Sequence, residues 1–104
     1  MARIIDGRVL DGTLQLVVKV KRLDASVARD FKEELQAAWT DKVRAVSIDL
    51  ANVEFVDSSG IGAMLGVFRR LGTQNASVQL LNVRAAVQAV IELLRLNRVF
   101  EVKG

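Results

Sequence analysis

The sequence predicts an α/β fold: a mixed, mostly parallel β-sheet of about five strands in the order ββαβαβαβ, packed with three main helices. Three observations carry this prediction. Stretches of period-two alternation and stretches with apolar residues at helical spacing succeed one another along the chain. Strands separated by helices pair mainly in parallel, through right-handed crossovers. The composition, 51% hydrophobic but only 5% aromatic, supplies the aliphatic Val, Leu, Ile and Ala of a layered core. With 104 residues and no Pro-rich or Ser-rich linker, residues 1–104 are expected to form a single domain around one core.

Asp11-Gly12 separates Val9-Leu10 from the alternating run Leu14, Leu16, Val18, Val20, the signature of a hairpin turning near Gly12. Lys19, Lys21 and Arg22, the densest basic cluster, alternate with Val18 and Val20 and are expected on the solvent side of that second strand. Asp24 and Ser26 then offer side-chain oxygens to the free amides of a helix start. Val27, Phe31, Leu35 and Ala38 or Trp39 recur at helical spacing, which predicts a helix from about Ser26 to Trp39. Val43 to Leu50 reads as a strand, central in the sheet, with Val46, Ile48 and Leu50 on one face. Beyond it, Ile61, Met64, Leu65 and Phe68 define a second helical stripe. It ends near Arg69, Arg70, Leu71 and Gly72, cations and a glycine where a helix C-terminus favours them. Asn75 to Ser77 predicts a turn before a short strand, Val78 to Leu81. Val87, Val90, Ile91 and Leu94 give a third stripe closing at Asn97, and Val99, Phe100 and Val102 a last strand. Trp39 and Met64 lie on or beside these stripes and are expected in the core, not on a docking surface.

The composition excludes several classes of function. There is no Cys and no His, so thiolate nucleophiles, imidazole bases, disulfides and the usual zinc sites have no source. No metal or cofactor is expected. The net charge of +3 comes from 15 scattered cations and 12 anions, which does not argue for nucleic acid. Met1-Ala2-Arg3-Ile4-Ile5-Asp6 meets charge before an apolar core of signal-peptide length forms, and no later stretch is long and apolar enough for a bilayer. A cytoplasmic location, with no membrane attachment, is the expectation. A monomer is expected too, since no apolar stripe is left over once the helices and sheet are covered. Gly60-Ile61-Gly62 lacks a following Lys in phosphate-loop spacing and an acidic pair to hold magnesium, so nucleotide hydrolysis lacks its parts.

The chemistry concentrates between Ile48 and Gly62, which reads as strand, loop, then helix start. Asp57, Ser58 and Ser59 fall at the N-terminus of the second helix. Its first amides are unpaired and carry partial positive charge, so a phosphate on Ser58 would find donors there without an arginine cradle. A phosphoserine brings roughly −1.5 to −2 of charge at neutral pH, enough to reverse a docking surface, and Asp57 beside it would keep that effect large. Asp-Ser-Ser ahead of an apolar run is equally the chemistry of an N-cap, and the residues alone leave the two readings open. Gly60, Gly62 and Gly66 each weaken the helix by roughly 1 kcal/mol relative to Ala. They ask for a reason, such as close approach of a strand or a partner.

Phe55-Val56-Asp57-Ser58-Ser59-Gly60-Ile61-Gly62 resembles the phosphorylation-site motif of the STAS domain family, best known in anti-sigma factor antagonists. Leu23-Asp24-Ala25-Ser26 resembles the family's loop before its first helix, and Ser47-Ile48-Asp49-Leu50 its central strand. Leu80-Leu81-Asn82-Val83 through Arg98-Val99-Phe100 is similar to its closing strand and helix, so the likeness covers essentially the whole chain. The resemblance implies that Ser58 is the phosphorylated residue, with Ser59 the neighbouring hydroxyl. Asp24 and Asp57 would line the same surface, and Gly60, Ile61 and Gly62 would support it. It also implies a regulator that is not an enzyme. Unphosphorylated, it would bind a serine kinase of the histidine-kinase-like ATPase fold, the anti-sigma factor; phosphorylated, it would be released until a serine phosphatase restores it. The resemblance leaves room for one alternative, a non-switching STAS subunit of a membrane transport ATPase. Many relatives carry Gly where this chain has Lys21 and Asn97; Asn tolerates the left-handed backbone that Gly would supply.

Overall fold

The computed structural model describes residues 3–72 and 77–103. The first two strands, β1 (Ile5–Leu10) and β2 (Thr13–Val18), form an antiparallel hairpin. Its turn places Asp11 at φ 52° and Gly12 at φ 81°, the pair of left-handed residues that a two-residue hairpin loop requires. A two-residue strand β3 (Arg22–Leu23) leads into α1 (Ala25–Ala38), followed by β4 (Ala45–Asp49) and a second two-residue strand, β5 (Phe55–Val56). Then come α2 (Ser58–Leu71), β6 (Ser77–Leu81), α3 (Ala85–Leu93), a short 3-10 turn at Leu96–Arg98 and β7 (Glu101–Lys103).

The main sheet has the order β1-β2-β4-β6-β7, with every pair after the hairpin parallel, as the pattern of alternating strands and helices predicts. From β2 onward the strands are laid down in one direction. Right-handed crossovers made in one direction put all three helices on the same face. Burial follows: Leu14, Leu16, Val18, Val46, Ile48, Val78 and Leu80 are buried on the helix side, while Gln15 and Val17 on the other side are exposed. The core is a single cluster in which Phe31, Leu35, Ile61, Met64, Val67, Val87, Ile91 and Phe100 meet the sheet. Each such side chain contributes roughly 1.5–3 kcal/mol by leaving water. Met64 is fully buried in the core, as expected; Trp39 packs half-buried against the cluster at its margin.

Several boundaries differ from the sequence expectation. The small parallel sheet β3-β5 was not expected; two-residue strands leave no periodicity to read. β2 stops at Val18, so Lys19, Lys21 and Arg22 do not share one strand face. All three are exposed, but they straddle the gap between β2 and β3. The third helix ends at Leu93 and not at Asn97. The left-handed residue that turns the chain toward β7 is Arg95, at φ 58°, not Asn97. Leu93 and Leu94 are 81% and 50% exposed, so some apolar side chains are left over at this end of the fold. Phe100 is buried just ahead of β7 instead of within it. The expected turn over Asn75 to Ser77 lies outside the described residues except for Ser77, which opens β6.

Candidate functional site

The two helix N-termini α1 and α2 lie side by side because the short strands β3 and β5, which feed them, are paired. Each helix is capped by the aspartate that precedes it. Asp24 Oδ1 accepts from the Ser26 amide at 3.0 Å and from the Ser26 hydroxyl at 2.6 Å. Asp57 Oδ1 accepts from the Gly60 amide at 2.9 Å, three residues on, in the usual N-cap geometry. The other Asp57 oxygen, Oδ2, accepts from the amide of Ala25 at 3.3 Å, so one carboxylate ties both helix starts together.

This arrangement separates two roles that the sequence left superposed. Asp57 is the cap; Ser58 and Ser59 are the first two helical residues. Ser58 is exposed and Ser59 half-buried. Among the described residues the Ser58 hydroxyl makes no hydrogen bond, whereas the Ser26 hydroxyl is spent on Asp24. The Gly60 amide is taken by the Asp57 carboxylate and the Ile61 amide by the Asp57 carbonyl at 2.9 Å. The amides of Ser58 and Ser59 are therefore the helix-start donors left for an anion.

Gly60 is fixed by packing. A Cβ there would overlap the Leu23 carbonyl oxygen and come within 2.7 Å of Val56 Cγ2, so the β3-β5 ribbon touches the backbone of the first turn of α2. Gly62 and Gly66 have no such reason, since nothing lies within 4 Å of a Cβ built on either. Ile61 is buried beneath the first turn of α2, and Gly62 is half-buried.

One feature was not read from the sequence. Phe55 is 40% exposed, and the Arg22 guanidinium stacks over its ring at 4.2 Å. The same Arg22 reaches the Asp24 carboxylate at 3.4 Å. The available signal was the order Val53-Glu54-Phe55-Val56: Val53 and Val56 are buried, which leaves Phe55 facing outward. The Ser26 hydroxyl bond, helped by the Ser26 amide and Arg22 and partly opposed by desolvation, holds the Asp24 carboxyl below its ordinary pKa. No group of three or more acidic, His or Cys side chains able to hold a metal occurs among the described residues. No helix there is long and apolar enough to cross a membrane.

Comparison with known proteins gives this geometry its context. The STAS domain model matches residues 5–104. The anti-sigma-B factor antagonist of Listeria monocytogenes is 27% identical over 82 residues, covering 79% of this chain and 72% of the relative. Among solved structures, an anti-sigma factor antagonist from Mycobacterium paratuberculosis superposes with a TM-score of 0.79 at 23% identity, over 94% of this chain and 82% of that one. The Bacillus cell fate determinant SpoIIAA in its phosphorylated form superposes at 0.67 and 21%, over 96% and 91% of the two chains. A sulfate transporter family protein from Wolinella succinogenes superposes at 0.71 but 13%, over 90% and 80%. At these identities the structural likenesses speak to the fold alone.

Proposed function

We propose, from the premise that this chain belongs to the STAS domain family, that it is a phosphorylation-controlled partner-switching regulator of the anti-sigma factor antagonist type. Unphosphorylated, it binds a serine kinase of the histidine-kinase-like ATPase fold, the anti-sigma factor. Phosphorylation of Ser58 ends the complex, and a serine phosphatase restores it. ATP and its chemistry belong to the kinase, in the cytoplasm; this chain is a substrate and a ligand, not an enzyme.

The observation that carries the proposal is the exposed Ser58 hydroxyl at the first helical position, free of the capping duty that Asp57 performs. A kinase can modify it without dismantling the fold. Once there, the phosphate has the Ser58 and Ser59 amides and the positive end of α2 to hold it. Asp57 adds like charge on one side, so the docking surface changes from the two carboxylates of Asp24 and Asp57 to a denser negative cluster. Asp24, Ser59 and Gly62 share that surface, while Gly60 and Ile61 hold it in shape from below. The curated relative named above is an anti-sigma-B factor antagonist, which favours this reading over a transport-ATPase subunit; the transporter likeness is one of fold only.

The test is binding of the cognate kinase to the wild type, Ser58→Ala and Ser58→Asp by isothermal titration, with mass analysis of the product after ATP is added. The wild type gains one phosphate on the peptide containing Ser58 and dissociates. Ser58→Ala stays bound, and Ser58→Asp does not bind. Equal binding of all three chains would end the proposal.

A further inference from the structure

A groove runs on from the proposed switch surface, with which it shares Ser59 and Gly62. Helices α1 and α2 border this groove of about 800 Å³, lined on the α2 side by Ser59, Gly62, Ala63 and Gly66, with Arg29 and Lys32 on the α1 side and Arg69 and Arg70 at the C-terminal end of α2. Among the described residues no carboxylate lines it. Among the described residues neither Lys32 nor Arg69 pairs with an acid. Arg29 meets Glu33 only at 3.5 Å across a fully solvated helix face, a contact too exposed to neutralise it. Arg70 is held in place by stacking on Trp39 at 4.9 Å.

The glycines of the floor are the second observation. Gly62 and Gly66 weaken α2 relative to Ala, and among the described residues nothing requires them, since a Cβ on either would stand in open space. A partner packed against this face would supply a reason. Positions 59, 62, 63 and 66 form a row along one helix face, the recessed track into which a ridge of another helix packs. From Ser59 to Arg69 the track runs about 15 Å, the length of about ten residues of helix.

We propose that this groove docks an amphipathic helix of a protein partner, with small or apolar residues on the glycine floor and Glu or Asp placed to meet Arg29 and Lys32 on the α1 side and Arg69 and Arg70 at the end of α2. A helix-in-groove contact of this kind draws its area from the floor and its selectivity from the walls. It is separate from Ser58 itself and stands whether or not Ser58 is a switch.

The experiment titrates the full ¹⁵N-labelled chain with a helical peptide bearing Ala and Leu on one face and Glu on both flanks, and with the same peptide carrying Gln for Glu. The Glu peptide shifts the amides of Gly62, Ala63 and Gly66, and binds at least tenfold more weakly at high salt. The Gln peptide, and the variant Lys32→Glu/Arg69→Glu, lose at least tenfold in affinity. Gly66→Leu fills the floor without touching the core: it abolishes binding while the melting temperature stays level or rises, a combination that damage to the fold cannot produce. Absence of shifts at millimolar peptide would overturn the proposal. So would shifts confined to another face, or Gly66→Leu and Lys32→Glu/Arg69→Glu binding like the wild type.

Discussion

Replacing Asp57 by Ala removes a side chain that holds both helix starts. Its bond to the Gly60 amide, 2.9 Å and part-buried, is a full N-cap, and losing such a cap costs about 1 kcal/mol. Its bond to the Ala25 amide, at 3.3 Å and solvent-exposed, is weaker, at about 0.5 kcal/mol, the low end for a net hydrogen bond. The sum, about 1.5 kcal/mol, lowers the melting temperature of a domain this size by about 6–12 °C. Asp57→Asn separates the two contributions. Its carbonyl can still cap Gly60, but its NH2 group would meet the Ala25 N–H donor to donor, so only the smaller bond is lost. Thermal and urea denaturation followed by circular dichroism measure both variants, and the order of stability is wild type, Asn, Ala. An Asp57→Ala protein that melts within a degree or two of wild type would refute the double-cap reasoning; so would Asn and Ala variants of equal stability.

The same substitution at two glycines of α2 has opposite signs. Gly60→Ala gains about 1 kcal/mol of helix propensity but drives a methyl into the Leu23 carbonyl, where overpacking against backbone costs about 2–3 kcal/mol, for a net loss of about 1–2 kcal/mol. Gly62→Ala meets no atom within 4 Å and stabilises by up to about 1 kcal/mol; urea midpoints of the two variants check the contrast. For Asp24 the folded carboxyl titrates below its unfolded value. Its capping contribution is therefore fully present above the unfolded pKa of about 3.8 and is lost as pH falls through the lower folded value. Stability of Asp24→Ser, whose cap is neutral, should fall less steeply between about pH 4 and pH 2 than that of the wild type.

Much of this fold was legible because its signals are local. Asp11-Gly12 states a hairpin by itself, and the stripe Ile61, Met64, Leu65, Phe68 with Gly72 behind it states a helix and its end; Gly72 indeed sits at φ 84°. The β3-β5 ribbon was not legible, because Leu23 and Val56 become neighbours only when residues more than thirty apart in sequence meet. The same distance hid the bond from Asp57 to Ala25. The overlong third helix has a different cause. Leu94 continues the apolar spacing of α3 although it stands half in water, and periodicity cannot tell a buried leucine from an exposed one. At the site, Asp57-Ser58-Ser59 announced a helix start and a hydroxyl, but which residue caps and which stays available depended on the geometry of the turn.

The outermost strands of the sheet carry a consequence for how this protein behaves in a crowded solution. At one border β1 presents Asp6 and Arg8, with Asp6 within 3.7 Å of Lys19. At the other, β7 is three residues long and its Glu101 and Lys103 pair at 3.0 Å. A stray extended chain seeking to add itself to either border would have to displace or bury those charges. At β7 it would find only three residues to zip against. Open sheets invite runaway addition of strands; here charged side chains on both outer strands oppose it.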